Sequence, residues 1–188
     1  MLKRLFSSVP SILKLEEVVN LSALEKETPE SITSLWNNYH QKAPDMVSAV
    51  ISSGDLEKLN SRVTESSIFL FPIRRKNEHF LMISQSVQRL AVFSNFDEFE
   101  KNPEECKSNL MITFFDELEK SKGIVPVKGD MMDDYLSKPE CEMLLKSYLD
   151  YYLLDHLYHA HIYKFNSDPE TFNHSEYINS FFSRFNKE

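Results

Sequence analysis

Glycine is scarce in this chain: Gly54, Gly123 and Gly129 are the only three among 188 residues. Loops that hold phosphate groups need closely spaced glycines, because their backbone N–H groups must come close to the ligand. A Walker loop, a dinucleotide fingerprint and a kinase loop are therefore excluded. The chain also lacks Gly-x-Ser-x-Gly and His-Glu-x-x-His, so hydrolases and zinc proteases lose their usual sequence support.

Cysteine, basic charge and long apolar runs are also limited. Cys106 and Cys141 lie 35 positions apart with no Cys-x-x-Cys spacing, which predicts free thiols in a reducing compartment. The formal net charge of -8 argues against nucleic-acid binding, since affinity for phosphate backbones comes from Lys and Arg. Apolar runs of a few residues fall short of the ~20 that a membrane-spanning helix needs, so no span is predicted.

The first residues differ in composition from the rest. Between Met1 and Leu15 the charged residues are Lys3, Arg4 and Lys14, serines are frequent, and acidic residues begin at Glu16. Mitochondrial transit peptides have this basic, serine-containing and acid-poor composition. We predict a transit peptide over residues 1–15 and one domain over residues 16–188, with a frayed basic N-terminus as the alternative to the peptide.

Apolar periodicity predicts helices at both ends of the chain and strands between them. A Thr28-Pro29 start predicts a helix over 29–41, a second follows over 55–65, and an acidic segment over 96–105 is also expected to be helical. A Ser137-x-x-Glu140 capping box begins the longest helix, and a last one covers 176–185. Short runs rich in Phe, Ile, Leu and Val predict strands over 67–73, 79–85, 88–94, 110–115 and 124–128.

This order of elements predicts an α+β fold: a single domain with a mainly antiparallel sheet of about five or more strands flanked by helices. The strand over 67–73 is apolar on both faces, and the strand over 110–115 is similar. Such a sheet must be covered on both faces, either by the chain's own helices or by another protein. Both possibilities stay open at this point.

Candidate catalytic groups are few. His156, His159 and His161 lie near Asp155 and suggest a transition-metal site, but 161 does not share a helical face with 156 and 159. A solvated or packed segment rich in His and Tyr is the other interpretation. Pairs of adjacent carboxylates are expected to be solvated. We predict no catalytic residues, no metal and no cofactor.

Several segments resemble the mitochondrial F(1)-ATPase assembly chaperone family, whose members bind the free beta subunit of ATP synthase. The segments are KETPESITSLWNNYH, VSAVISSGDLEKL, IFLFPI, FLMISQ and KGIVPVKGD, in that order from Lys26 to Asp130. The resemblance implies a protein of the mitochondrial matrix with an α/β or α+β fold and no nucleotide chemistry of its own. It also implies that the chain is not an enzyme.

This resemblance leads to a mechanistic hypothesis. The protein would act as a monomer that binds unassembled beta subunit through an apolar patch with an acidic rim, until the alpha subunit displaces it. The predicted contacts are large apolar residues at strand ends and loops, with a charged pair that orients them, although each position is also compatible with the core: Phe69, Phe71, Met111, Phe114, Phe115, Met131 and Met132, with Lys128 and Asp130.

Two other classes of function remain open from the sequence. A metal-dependent enzyme would use the histidine segment over residues 155–161 and would bind stoichiometric metal. A structural subunit of a mitochondrial assembly would stay with the finished complex permanently, whereas a chaperone associates only with the unassembled subunit.

Overall fold

Six strands form one antiparallel sheet in the order β1-β6-β5-β4-β3-β2 in the computed structural model, which describes residues 13–185. This confirms the predicted α+β class and the five predicted strands, and it adds β1. The strands are β1 Met46–Ser52, β2 Ile68–Arg75, β3 Glu78–Val87, β4 Leu90–Asn95, β5 Leu110–Phe114 and β6 Ile124–Met131.

In the described part of the chain, helices precede and follow the sheet, and three more lie between its strands. A 3-10 turn covers Leu15–Glu17, a π-helix covers Tyr158–Tyr163 and a second 3-10 turn covers Pro169–Thr171. The α-helices are α1 Leu21–Leu24, α2 Pro29–Lys42, α3 Ser53–Glu65, α4 Phe96–Lys101, α5 Glu119–Lys122, α6 Lys138–Leu153, α7 Asp155–Leu157, α8 Lys164–Ser167 and α9 His174–Phe185.

The register assigns alternate residues of each strand to two faces of the sheet. On the first face, the ring of Tyr148 from α6 contacts Phe71, Phe93 and Phe114 from three different strands. Its hydroxyl donates to Ser86 Oγ at 2.8 Å. The larger core of the protein lies on this face, between the sheet and helices α3, α6 and α9.

A smaller core occupies part of the second face. Ile32 and Trp36 from α2 pack there against Phe115 and Leu118, which follow β5. The indole N–H of Trp36 donates to the carbonyl of Val127 in β6 at 3.0 Å. Helix α2 is therefore fixed to the sheet at the side where β1 and β6 lie.

Gly129 allows β1 and β6 to approach closely. It lies opposite Val47 in the register, and a Cβ added to it would come within 2.5 Å of Val47 Cγ2. Such a distance is a clash, so only glycine fits at this position without movement of β1.

Several predicted boundaries are corrected by the structure. Helix α3 begins at Ser53, two residues before the predicted start at 55, and Ser52 caps it. Helix α4 ends at Lys101, and its predicted extension to residue 105 was wrong. Strand β1 was not predicted, because its apolar run is interrupted by Ser48 and Ala49 and passes directly into α3.

The N-terminal prediction falls largely outside the described residues. Residues 1–12 of the predicted transit peptide are not described, and the boundary at residue 15 stays a prediction. Leu15 itself is fully buried in the smaller core, and its N–H donates to Glu117 Oε1 at 2.7 Å. Removal of residues 1–15 would therefore take away a packed side chain.

Candidate partner-binding surface

Four of the nine predicted contact residues lie in the core. Phe69, Phe71 and Phe114 are enclosed on the first face of the sheet, and Phe115 packs edge-on against Trp36 in the smaller core. A side chain enclosed by its own helices is not available to a partner. The chain's own helices therefore cover the four phenylalanines. We do not include these four residues in the proposed partner-binding surface.

The predicted charged pair forms, but it is mostly covered. Lys128 Nζ lies 2.8 Å from Asp130 Oδ1, and the two side chains are 10% and 21% exposed. In the register Lys128 lies between Ser48 and Thr113 on the second face of the sheet. Little of either side chain reaches the surface. The ion pair therefore supports the sheet and offers little contact area to a partner.

The predicted methionines differ from one another. Met131 packs against the larger core, and Met111 is half-buried beside Asp130 in the register. Met132 is 51% exposed and follows β6 directly. Of the nine predicted residues, Met132 alone is largely accessible to a partner.

An apolar groove runs along the outer side of α2, and we call it the α2 groove. Leu35 and Tyr39 lie one helical turn apart and are 52% and 63% exposed. The groove has a volume of about 240 Å³ and is lined almost entirely by apolar atoms. Its lining residues are Val19, Leu24, Ile32, Leu35, Trp36 and Tyr39.

Acidic residues are frequent in the segment of the chain that leads into this groove. Residues 14–30, which lead into α2 and form its first turn, carry five glutamates and two lysines. All seven are exposed. An apolar groove with carboxylates nearby in the sequence thus lies at positions other than the predicted contact residues.

Both ends of α2 are held in place by lysines from other elements. Lys122 Nζ donates to the carbonyl of Glu27 just before the helix, at 2.8 Å. Lys138 Nζ donates to the carbonyls of His40, Gln41 and Ala43 at its C-terminal end, at 2.9, 2.8 and 2.5 Å. A cation at the last carbonyls of a helix satisfies otherwise unpaired acceptors and interacts favourably with the helix dipole.

The spacing of apolar residues along α2 is the sequence signal for this groove. Ile32, Leu35, Trp36 and Tyr39 occur at i, i+3, i+4 and i+7, which predicts an amphipathic helix with one apolar face. In the structure Ile32 and Trp36 are buried, while Leu35 and Tyr39 face outward. The apolar stripe on α2 is wider than the small core beneath the helix. Part of the stripe therefore stays exposed and forms the groove.

The histidine segment shows packing and no metal geometry. Burial lowers the pKa of His161, whose ring lies 5.5 Å from that of Tyr151 and 5.3 Å from that of Tyr177. His156 and His159 are exposed. Within residues 13–185 no three His, Cys, Asp or Glu side chains are grouped so as to hold a metal ion. The segment therefore gives the metal-enzyme alternative no structural support.

Both cysteines are free thiols, as predicted. Cys141 is buried on α6, and burial raises its pKa to about 12. Burial also raises the pKa of the half-buried Cys106. A nucleophilic cysteine needs a lowered pKa, so neither thiol has the environment of a catalytic group.

No helix in the described part of the chain combines the length and the apolar character needed to cross a membrane.

Comparison with known proteins gives consistent matches. The model of the family described as ATP11 protein matches residues 6–178. The chain is 24% identical to ATP synthase mitochondrial F1 complex assembly factor 1 of Danio rerio over 165 residues, which are 87% of this chain and 54% of that protein. Identity to the Homo sapiens protein of the same name is 23% over 141 residues, covering 75% and 43%. The chain thus spans about half the length of the curated relatives it matches.

Proposed function

The chain belongs to the ATP11 protein family, and we propose that it is an assembly chaperone of the mitochondrial F(1)-ATPase. In this proposal it binds the unassembled beta subunit in the mitochondrial matrix, as a monomer, and prevents its aggregation. It then passes the subunit to alpha without hydrolysing ATP. The names of its relatives as F1 complex assembly factors support this proposal.

The observation that carries the proposal is the exposed α2 groove. Contiguous apolar surface on a protein usually marks an interaction site when it is surrounded by polar residues. An unassembled subunit of an oligomer exposes apolar surface of obligate-interface size, which makes it prone to aggregation. The groove offers Leu35 and Tyr39 to such a surface, and the nearby glutamates keep the free chaperone soluble.

The proposed contact surface combines the α2 groove with Met132. Met131 N–H donates to the carbonyl of Asp45 at 3.0 Å, which places the start of the Met132 loop beside the segment that follows α2. Methionine side chains adapt to irregular partner surfaces. Lys128 and Asp130 support this region from within the sheet.

Release follows from competition in this proposal. The alpha subunit forms a larger interface with beta in the finished complex than a groove of this size can form. Because both would cover the same surface of beta, the partner with the higher affinity displaces the other by mass action. The energy for release then comes from assembly itself.

Substitutions on α2 test the proposal. We expect Leu35→Asp and Tyr39→Ser to raise the Kd for purified, alpha-free beta subunit at least tenfold, because they place polar groups in an apolar contact. The matched controls are Leu154→Asp and Tyr163→Ser, two apolar side chains that are 37% and 39% exposed outside the groove. The binding can be measured by isothermal titration calorimetry.

Unchanged affinity in both groove variants would contradict the role of the α2 groove. An equal loss in the control variants would show that the effect is not specific to the groove. Failure of the unmodified chain to bind beta would contradict the proposed function itself.

A further inference from the structure

Strand β1 is at an edge of the sheet, and its pairing fixes which of its main-chain groups face outward. The N–H of Met131 donates to the carbonyl of Asp45, and the N–H of Ser53 donates to that of Gly123. In an antiparallel pair, hydrogen-bonded positions alternate with positions that point away from the partner strand. The odd-numbered residues of β1 therefore bond to β6, and the even-numbered residues face outward.

Three residues of β1 present unpaired main-chain groups at this edge. Within residues 13–185, no hydrogen bond engages the N–H or the C=O of Met46, Ser48 or Val50. From Met46 to Val50 the edge is about 13 Å long at the usual rise per residue. A row of free donors and acceptors of this kind is a template for one more strand.

A polar cleft lies against this open edge. It has a volume of about 330 Å³, and it includes Ser48 of β1. Helix α2 contributes Asn37, His40 and Gln41 to one wall, and helix α6 contributes Lys138 and Glu142 to the other. Because Lys138 also bonds the last carbonyls of α2, the two walls are joined at one end.

A buried, neutral histidine forms part of the α2 wall of the cleft. His40 is 1% exposed, and its Nδ1 lies 2.7 Å from the carbonyl of Trp36, to which it must donate. Burial lowers the pKa of His40, so the ring is neutral and Nε2 is an acceptor. Nε2 has no hydrogen-bond partner among the described residues. The bond from Nδ1 to the carbonyl of Trp36 fixes the ring, so this part of the α2 wall is held in one position.

We propose that the β1 edge binds an extended segment of the client protein, which adds to the sheet as a seventh strand. The inference rests on the proposed function, and it specifies the recognition chemistry. Main-chain amides of the client pair with the outward N–H and C=O groups of Met46, Ser48 and Val50. Recognition of this kind depends mainly on the backbone of the client, which suits a protein that binds a subunit before assembly.

The occupant is a segment of another protein and not a second copy of this chain. In a symmetric dimer two β1 edges would have to meet directly. Each edge, however, is recessed between α2 and α6. A cleft of about 330 Å³ with a helix on each side suits a single extended segment better than the flank of a second folded copy.

Amide hydrogen exchange on the full chain tests this inference. Quenched-exchange NMR would follow the amides of Met46, Ser48 and Val50 in the free protein and with purified, alpha-free beta subunit. We expect fast exchange in the free protein and at least tenfold slower exchange in the complex. If a complex forms and these amides remain unprotected, the inference is overturned while the proposed function stands. If no complex forms, the proposed function fails and the inference fails with it.

A pair of variants at one position provides the second test. Ser48→Pro removes the outward N–H and leaves the bonds to β6 intact, whereas Ser48→Ala keeps the N–H and removes only the hydroxyl. We expect Ser48→Pro to raise the Kd for beta about tenfold and Ser48→Ala to leave it unchanged. Equal affinity of the Pro variant, or an equal loss in the Ala variant, would overturn the inference. If circular dichroism shows that Ser48→Pro does not fold, the exchange measurement decides.

Discussion

The two edges of the sheet are treated differently by the rest of the chain. At the β2 edge, the side-chain amide of Asn166 donates to the carbonyl of Ile68 at 2.7 Å and accepts from its N–H at 3.4 Å. Tyr177 OH donates to the carbonyl of Leu70 at 2.6 Å, and Pro72 has no N–H to offer. At the β1 edge, no described residue pairs with the outward main-chain groups in this way.

This difference indicates which edge is available for binding. Proteins usually block exposed strand edges, because a free edge pairs with other chains and promotes aggregation. Here helices α8 and α9 contribute a side chain each to block β2. The β1 edge instead lies in a cleft, so only an extended segment can reach it. We interpret β2 as the closed edge and β1 as the functional one.

The largest effect is expected from a change beneath the closed edge. Phe69 is fully buried, and its ring lies within 6.3 Å of those of Phe71, Tyr151, Phe165, Phe172 and Tyr177. We expect Phe69→Ala to lower the free energy of unfolding by about 3–5 kcal/mol, because it leaves a cavity. Urea unfolding measures the loss, and Leu35→Ala in the exposed groove is the control. A similar small loss in both variants would contradict the assignment of Phe69 to the core.

A smaller effect is expected from opening the closed edge. Asn166→Ala removes both bonds to Ile68 and leaves its main-chain groups unpaired, at a cost of about 1–3 kcal/mol. The variant should also self-associate more strongly as its concentration rises. Sedimentation velocity measures this association, with the neighbouring Ser167→Ala as control. A variant that is stable and monomeric would show that the edge needs no such cap.

A substitution in the wall of the β1 cleft should lower the stability of the protein by a smaller amount. Lys138→Met removes three bonds from the C-terminal end of α2, but the lysine is only half-buried, so we expect a loss of about 1 kcal/mol. Amides in the last turn of α2 should exchange faster as a result. If only the amides of α9 respond, the proposed link between the two walls is wrong.

The smallest effect on stability is expected from a change of pH. This prediction compares His40, near the β1 edge, with His161, near the β2 edge. Burial lowers the pKa of both His40 and His161 in the folded protein, so the unfolded chain binds protons more readily. Stability is therefore complete above the unfolded pKa of about 6.5 and falls slightly as the pH decreases below it.

Urea unfolding at about pH 7.5 and pH 5.5 measures this slope, because most carboxylates titrate below that window. We expect His40→Gln and His161→Gln each to reduce the slope. An unchanged slope in both variants would show that other groups cause the pH dependence.

Local patterns predicted most of the fold. The capping box at Ser137 and the Thr28-Pro29 start correctly placed α6 and α2, because these signals act within one turn of the chain. The five apolar runs correctly placed β2 to β6. Strand β1 was not predicted, because its end coincides with the cap of α3. Its pairing with β6 also depends on contacts that are distant in sequence.

The candidate site was harder to predict for a physical reason. Apolar periodicity shows that a face avoids water, and it does not show whether the same chain or a partner covers it. Phe69 and Leu35 are equally apolar in sequence, yet the aromatic residues of α6, α8 and α9 enclose the first and nothing described encloses the second. Coverage depends on tertiary packing, which the structure supplies.

Light scattering by purified, alpha-free beta subunit tests the central claim most directly. With an equimolar amount of the full chain present, we predict that aggregation of beta is suppressed. Later addition of alpha should yield an alpha–beta complex free of the chaperone, without added ATP. Continued aggregation of beta, or a chain that stays bound after alpha is added, would contradict the proposed function.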